Sequence, residues 1–242
     1  MRRKSQKYPF ITVVIPAFNE EKYLSNCLSA LQKQAYPKEN YEVIVVDNNS
    51  TDKTGGIASR FGIEVVNVKQ QGYVFALAEG MRKAKGEIVA VTDADTIVSK
   101  DWLAKIARVF KDKDVVGVTG STTTDSDSKM VNLLARFFYM VFLKCTFTLG
   151  RPNLSGNNMA VARRAFALVN GIDTRFEMSP DVDLGLRLKN IGKIRFETDL
   201  FAVTSARRFR KGFFRAILEY AKGYIFVAWL RRPPNFEQTT IR

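Results

Sequence analysis

Asp93 and Asp95 are separated by a single alanine and follow the apolar run Glu87–Thr92. Two carboxylates so spaced, just past a buried strand, present their oxygens from a tight turn. Such a pair can hold a divalent cation, which in turn neutralises a diphosphate. The same spacing also serves a solvated turn or helix-capping aspartates, so by itself it decides nothing. Asp47 closes another apolar run, Tyr41–Val46, and is followed by Asn48-Asn49-Ser50-Thr51-Asp52. Its carboxylate can accept a hydrogen bond from a base N–H or a ribose hydroxyl. Those following residues also favour a turn for purely local reasons. In Gly156-Asn157-Asn158 a glycine that admits close backbone approach precedes two amides that donate and accept; an ordinary loop entering a strand reads the same way. Arg207 and Arg208 are adjacent cations, suited either to clamping a diphosphate or acceptor phosphate or to a solvated basic turn.

What the chain lacks narrows the chemistry. It has no histidine. Ser-His-Asp and Cys-His mechanisms, imidazole bases and imidazole metal ligands are therefore excluded. Acid–base work falls mainly to Asp, Glu, Lys or Tyr. A metal would need oxygen ligands, which points to Mg²⁺ or Mn²⁺. Two cysteines, Cys27 and Cys145, exclude a disulfide framework and a thiolate zinc cluster, and a reducing cytoplasm is the simplest compartment. No long apolar run follows the basic start Met1-Arg2-Arg3-Lys4, so no secretory signal peptide is expected. The net charge of +14 favours an anionic partner such as a nucleotide, a lipid headgroup, a phosphorylated acceptor or nucleic acid. A solvated basic surface is the plainer reading of the same number.

The elements that must position these groups alternate in type. Phe10–Ile15 reads as a buried strand ended by Pro16. Asn19 can cap the next helix, whose apolar face is Leu24, Cys27, Leu28 and Leu31 at i, i+3, i+4 and i+7. Tyr41–Val46 is a second strand, with Ser50 or Thr51 capping a short helix to about Arg60. Ile63–Val68 is a third strand. Val74, Leu77, Ala78 and Met81 mark another helix, and Glu87–Thr92 is a fourth strand. A β-α-β-α-β-α-β order implies an α/β fold, Rossmann-like, with a mostly parallel central sheet flanked by helices. Ligands in such sheets bind outside the carboxyl ends of the strands. Pro16–Glu20, Asp47–Asp52 and Asp93–Thr96 should therefore meet in one crevice.

The second half is less regular. Helices are expected around Trp102–Phe110, over Val131–Leu149, at Arg163–Val169 and Asp181–Asn190, and through about Gly212–Leu230. Strands are expected at Val115–Thr119, Asn158–Ala162 and Lys193–Glu197, with a polar loop at Thr122–Lys129. One domain of two halves results, 8–100 and 101–242. Phe137–Leu143 and Tyr224–Leu230 are uninterrupted apolar runs, each short of the roughly 20 residues that a spanning helix needs. Flanking Lys and Arg suit helices lying in a membrane interface, and a pair of core helices is the alternative.

The motifs in order resemble the family-two, inverting, GT-A-type glycosyltransferases. The matching stretches are Val13-Val14-Ile15-Pro16-Ala17-Phe18-Asn19-Glu20, Val45-Val46-Asp47-Asn48-Asn49-Ser50-Thr51-Asp52, Gly72 through Gly86, and Thr92-Asp93-Ala94-Asp95. Ser155-Gly156-Asn157-Asn158-Met159-Ala160 and Asp181-Val182-Asp183-Leu184 complete them, over about residues 10–210. The resemblance implies a UDP- or GDP-linked sugar donor and a Mn²⁺ or Mg²⁺ cofactor. Pro16, Ala17 and Glu20 would line the nucleotide pocket, Asp47 would bind the base, and Gln71 and Gly72 would lie nearby. Asp93 would contact ribose or metal, and Asp95 the metal. Asp181 would be the general base, with Gly156, Asn157, Asn158, Asp183, Arg207 and Arg208 on the acceptor or diphosphate side. The family usually places Glu directly before that Asp, where this chain has Pro180.

A glycan or lipid-linked acceptor, met at the cytoplasmic face of a membrane through peripheral contact, fits the charge and the two apolar runs. A nucleotidyltransferase would share the α/β layout, but Pro16-Ala17-Phe18-Asn19-Glu20 lacks the glycines and positive charge of a phosphate loop. No nucleic-acid motif is present, and no nucleic-acid partner is expected. A degenerate, merely sugar-nucleotide-binding module is the remaining alternative, because of Pro180.

Overall fold

The structure, a computed structural model, describes residues 8–207, Leu218 and residues 221–230. The expected alternation is present: β1 (Ile11–Ala17), α1 (Leu24–Gln32), β2 (Tyr41–Asp47), α2 (Thr54–Arg60), β3 (Glu64–Asn67), α3 (Tyr73–Lys83) and β4 (Ile88–Val91). Then follow β5 (Thr96–Val98), α4 (Trp102–Val109), β6 (Val115–Thr124), α5 (Lys129–Thr148), β7 (Met159–Ala162), α6 (Arg163–Leu168), α7 (Pro180–Leu188) and β8 (Lys193–Thr204). A last helix, α8, covers Ala221–Leu230.

All eight strands form one sheet in the order β3-β2-β1-β4-β7-β6-β8-β5. The β3-β2-β1-β4 half is wholly parallel. The other half is mixed: β7 runs antiparallel to β4 and β6, β8 parallel to β6, and β5 antiparallel to β8. The central strands are continuous apolar runs because both faces are covered; every residue of β1 and β4 is buried. Leu24, Cys27, Leu28 and Leu31 of α1 are all buried, as their spacing predicts.

Register brings the strand ends together. Ala17 pairs with Asp47, Asp47 with Asn67, and Val91 with both Val14 and Met159. The loops after β1, β2, β3 and β4 and the loop before β7 thus open on one edge of the sheet. Thr204 at the end of β8 pairs with Thr96, the first residue of β5. That pairing carries the residues after β8 to the Asp93–Asp95 turn.

Several local expectations are corrected. Pro16 lies inside β1 rather than ending it, at a position past the last β1–β4 pair, so its missing N–H disrupts no bond to β4. Asn19 does not cap α1; it sits at φ 54° and its Oδ1 accepts the Thr51 amide at 2.9 Å. Neither Ser50 nor Thr51 caps α2: the cap position is Lys53, and Asp52 before it accepts the Thr54 amide at 2.9 Å. Thr122–Thr124, expected in a loop, continue β6 against Ala202–Thr204, as β-branched residues favour. Sequence reading missed β5, whose three residues are too few for periodicity to mark.

α5 is twenty residues, long and apolar enough by length and composition to cross a membrane, contrary to the shorter run expected. Leu143 packs fully inside, yet much of the helix's outward surface is apolar. Towards the protein it turns Asn132, which accepts the Thr124 hydroxyl at 2.7 Å, Arg136 over the Phe201 ring, and Tyr139, which donates to Ser155 Oγ at 2.5 Å. Outward it turns Met130, Leu133, Leu134, Phe137, Phe138 and Val141, 42 to 64% exposed. Those six recur at i, i+3, i+4, i+7, i+8 and i+11, one stripe of the helix. Phe142 packs edge-on against Tyr224 and joins α5 to α8, where Ile225, Trp229 and Leu230 are also exposed.

Candidate active site

The crevice is built from backbone turns that side chains lace together. Thr54 Oγ1 accepts the Glu20 amide at 2.8 Å, and Asp52 accepts the Glu21 amide at 3.0 Å. The loop after β1 is thereby fixed to the loop after β2, and Pro16 and Ala17 lie buried at its base. Asp47 is buried and accepts the Ser50 amide at 2.9 Å, which turns the chain tightly after β2.

Asn48, quoted in a motif but given no role from sequence, organises the next wall. Its Nδ2 donates to Gln70 O at 2.6 Å and its Oδ1 accepts the Gly72 amide at 2.7 Å. Gly72 needs to be glycine there, at φ 135°. Gln71, between Gln70 and Gly72, is exposed.

Asp93 and Asp95 follow β4 in the turn that leads into β5. Asp93 O accepts the Cys27 thiol at 3.6 Å, placing the turn over α1. Burial, then the charges of Asp95, Asp93 and Glu20, push the Cys27 thiol above its ordinary range, so all three carboxylates converge above it. Asp95 Oδ1 is within 3.3 Å of the Thr204 hydroxyl and 3.4 Å of the Thr96 hydroxyl. Its Oδ2 lies 2.9 Å from Arg207 Nη2. Arg207 also grips Glu20 with both nitrogens, at 2.5 and 2.9 Å, and stands 5.1 Å above the Tyr23 ring.

Asp181 occupies the first turn of α7. Pro180 takes the start of that helix, where its fixed φ suits and its missing N–H removes no helical bond. Ser179 before it is left-handed at φ 57°. Asp181 Oδ2 accepts the Gly156 amide at 2.8 Å and Oδ1 the Val182 amide at 3.0 Å. Burial raises its pKa to about 6 against these amide bonds, and the Asp93 charge adds to the rise. The two carboxylates are thus close enough for their charges to interact. Asn157 lines the same edge, its carbonyl accepting the Thr92 hydroxyl at 3.0 Å.

Two expected site residues, Asn158 and Asp183, are not brought here. Asn158 is fully buried and binds Trp102 Nε1, Ser121 O and Leu200 O at 2.8 to 3.0 Å, which leaves it no face for an acceptor. Asp183 turns away from Asp181, as residues two apart on a helix must, and pairs with Arg187 at 2.7 Å. Arg208 lies outside the described residues. Tyr73 was missed: it stands so near Gly156 that a Cβ on that glycine would lie 2.2 Å from the tyrosine oxygen. No spacing rule links residues so far apart in the chain.

The donor set fits a divalent cation of the oxygen-seeking kind. Two carboxylates from one turn suit Mg²⁺ or Mn²⁺, which commonly take one or two protein carboxylates and complete their shell with substrate phosphates and water. Among the described residues no three His, Cys, Asp or Glu form a closed cage.

The sequence profile described as Glycosyl transferase family 2 matches residues 12–169. A Methanococcus voltae protein named dolichyl N-acetyl-alpha-D-glucosaminyl phosphate 3-beta-D-2,3-diacetamido-2,3-dideoxy-beta-D-glucuronosyltransferase is 25% identical, over 91% of this chain and 77% of its own. The probable glycosyltransferase YdaM of Bacillus subtilis is 29% identical over 81% of this chain and 50% of its own. Among solved structures, the mannosyltransferase PcManGT from Pyrobaculum calidifontis, in complex with GDP-Man and Mn²⁺, superposes with a TM-score of 0.74. It shares 22% identity, over 94% of this chain and 66% of that one, and shows that the fold is the same.

Proposed function

Because the chain belongs to glycosyl transferase family 2, we propose that it transfers a sugar, with inversion, from a nucleoside-diphosphate sugar to an acceptor hydroxyl. The observation that carries this reading is Asp181, fixed by the Gly156 amide and raised by burial to a pKa of about 6. A carboxylate near that value is unprotonated at neutral pH yet basic enough to assist proton transfer.

The nucleotide binds between the loops after β1, β2 and β3. Pro16 and Ala17 form the floor, Asp47 meets the base, and Gln71 and Gly72 close the side. Residues 8–100 form the donor half and 101–242 the acceptor half. Asp93 and Asp95 would hold a bound Mg²⁺ or Mn²⁺, which offsets charge on the departing diphosphate. Asp181 takes the acceptor hydroxyl's proton while that oxygen bonds to the anomeric carbon. The bond from that carbon to the diphosphate oxygen breaks in the same displacement, and the nucleoside diphosphate leaves with the electron pair. The open edge near Gly156 and Asn157 receives the acceptor.

The acceptor is lipid-linked, and the enzyme works on the cytoplasmic face of a membrane. The exposed apolar stripe of α5 supports this, as does the +14 charge, which suits anionic headgroups. The Methanococcus voltae relative is named for a dolichyl-linked acceptor. A screen of UDP- and GDP-sugars with Mn²⁺, reading release of nucleoside diphosphate in the presence of membrane lipid extract, tests the reading. Release that persists unchanged in Asp181→Ala would overturn the assignment of the base.

A further inference from the structure

Both oxygens of Asp95 already have partners. Oδ1 faces the Thr204 and Thr96 hydroxyls at 3.3 and 3.4 Å, and Oδ2 pairs with Arg207 at 2.9 Å. The same guanidinium is clamped by Glu20 at 2.5 and 2.9 Å and lies over Tyr23. The carboxylates of Glu20 and Asp95 are 2% and 8% exposed, and the arginine 22%. A buried acidic cluster is thus neutralised by a cation of the chain's own, part of which remains exposed.

A free divalent ion reaching Asp95 meets this guanidinium. It must either break the pair or sit beside a positive charge in a site largely closed to water, where like charges repel strongly. A diphosphate changes the balance, because its oxygens offer Arg207 a second anion in bidentate geometry. We infer that Arg207 is an exchangeable cation of the donor site, holding Asp95 until metal and nucleoside diphosphate arrive together and the guanidinium passes from Asp95 to the diphosphate. Metal affinity and nucleotide affinity are then coupled through this residue, and the coupling is reciprocal. Glu20 serves as the pivot, keeping the arginine in place while its partner changes.

The inference rests on the proposed donor site, and one experiment separates the two. Mn²⁺ binding is followed by electron paramagnetic resonance, without nucleotide and with saturating GDP or UDP, for wild type, Arg207→Gln, Arg207→Lys and the charge control Lys33→Gln. Circular dichroism melts establish which variants are folded. Arg207→Gln is expected to bind free Mn²⁺ at least about tenfold more tightly than wild type. Its gain in Mn²⁺ affinity on adding nucleotide is expected to shrink. Arg207→Lys, with one point charge unable to bridge both carboxylates as a fork does, falls between them. Lys33→Gln matches wild type. If Arg207→Gln does not fold, Arg207→Lys decides by the same comparison. Free Mn²⁺ affinity equal to wild type in the folded arginine variants, or an equal rise in Lys33→Gln, overturns the inference alone. No Mn²⁺ binding by any variant with either nucleotide overturns the donor-site reading and the inference with it.

Discussion

The amide of Gly156 donates to Asp181 Oδ2 at 2.8 Å, and the space where a Gly156 side chain would stand is filled by the Tyr73 hydroxyl. Three segments far apart in the chain are thus packed to contact at Asp181, the proposed base. Gly156→Ala should move this loop off Asp181, since its Cβ would lie 2.2 Å from Tyr73 Oη. A displacement of this kind lowers kcat by about ten- to a hundredfold. Nucleotide affinity, read by titration calorimetry, should stay close to wild type.

As the proposed base, Asp181 should set the acidic limb of the pH profile. Its pKa is raised from 3.8 to about 6, so kcat/KM should fall with unit slope below about pH 6 and level off above it. The linked stability has the opposite sense. The folded state binds this proton more tightly than the unfolded chain, so its stabilisation is full below 3.8 and is lost as pH rises through about 6. Asp181→Asn should therefore melt higher than wild type at pH 7.5 and converge with it near the acid end. Its transfer rate should fall by about 10² to 10⁴. A variant that loses activity because it has unfolded would show the reverse in the melt.

Asp95→Ala should weaken nucleotide binding in Mn²⁺ by at least about tenfold. The effect of adding Mn²⁺ should largely vanish from the same titration. A full Mn²⁺ response in this variant would move the metal away from the Asp93–Asp95 turn.

Asn158 is assigned to the framework. Its side chain joins Trp102, Ser121 and Leu200 inside the protein, so Asn158→Ala leaves several buried partners unsatisfied. The cost should be about 2–4 kcal/mol in denaturant melts, with substrate KM unchanged in the folded fraction. A stable variant with raised acceptor KM would return Asn158 to the acceptor site.

Leu134→Glu with Phe137→Glu should abolish co-sedimentation with anionic vesicles at low salt. Both side chains are exposed, so stability should change by no more than about 0.5 kcal/mol each. Dimerisation through α5 in the absence of lipid would point to a second copy instead of a bilayer.

The first hundred residues were legible because each signal there is local. Apolar runs without alternation mark β1, β2 and β4 as strands covered on both faces, and α1 and α3 show the period of one buried stripe. Strand-end chemistry then follows from the parallel order alone. Capping was misread at Asn19 and Ser50 because their side chains bond across to the neighbouring loop, and sequence shows only neighbours along the chain. The Thr122–Thr124 stretch looks like a loop from its polarity, yet pairing with β8 makes it a strand.

Sequence by itself narrowed the kind of chemistry: with no histidine and carboxylates at strand ends, oxygen ligands for a metal and Asp, Glu, Lys or Tyr for proton transfer were the routes left open, and the family resemblance pointed to Asp181 among them. It also placed Asp93, Asp95 and Asp181 as the residues to watch. Only the tertiary structure decided which neighbours those groups meet. It set Arg207 between Glu20 and Asp95, turned Asp183 towards Arg187, sealed Asn158 behind Trp102, and faced the apolar stripe of α5 outward. The reason is physical. Residue type and local period fix what a side chain can do, whereas its charge, burial and partners depend on contacts between segments that sequence separation does not encode.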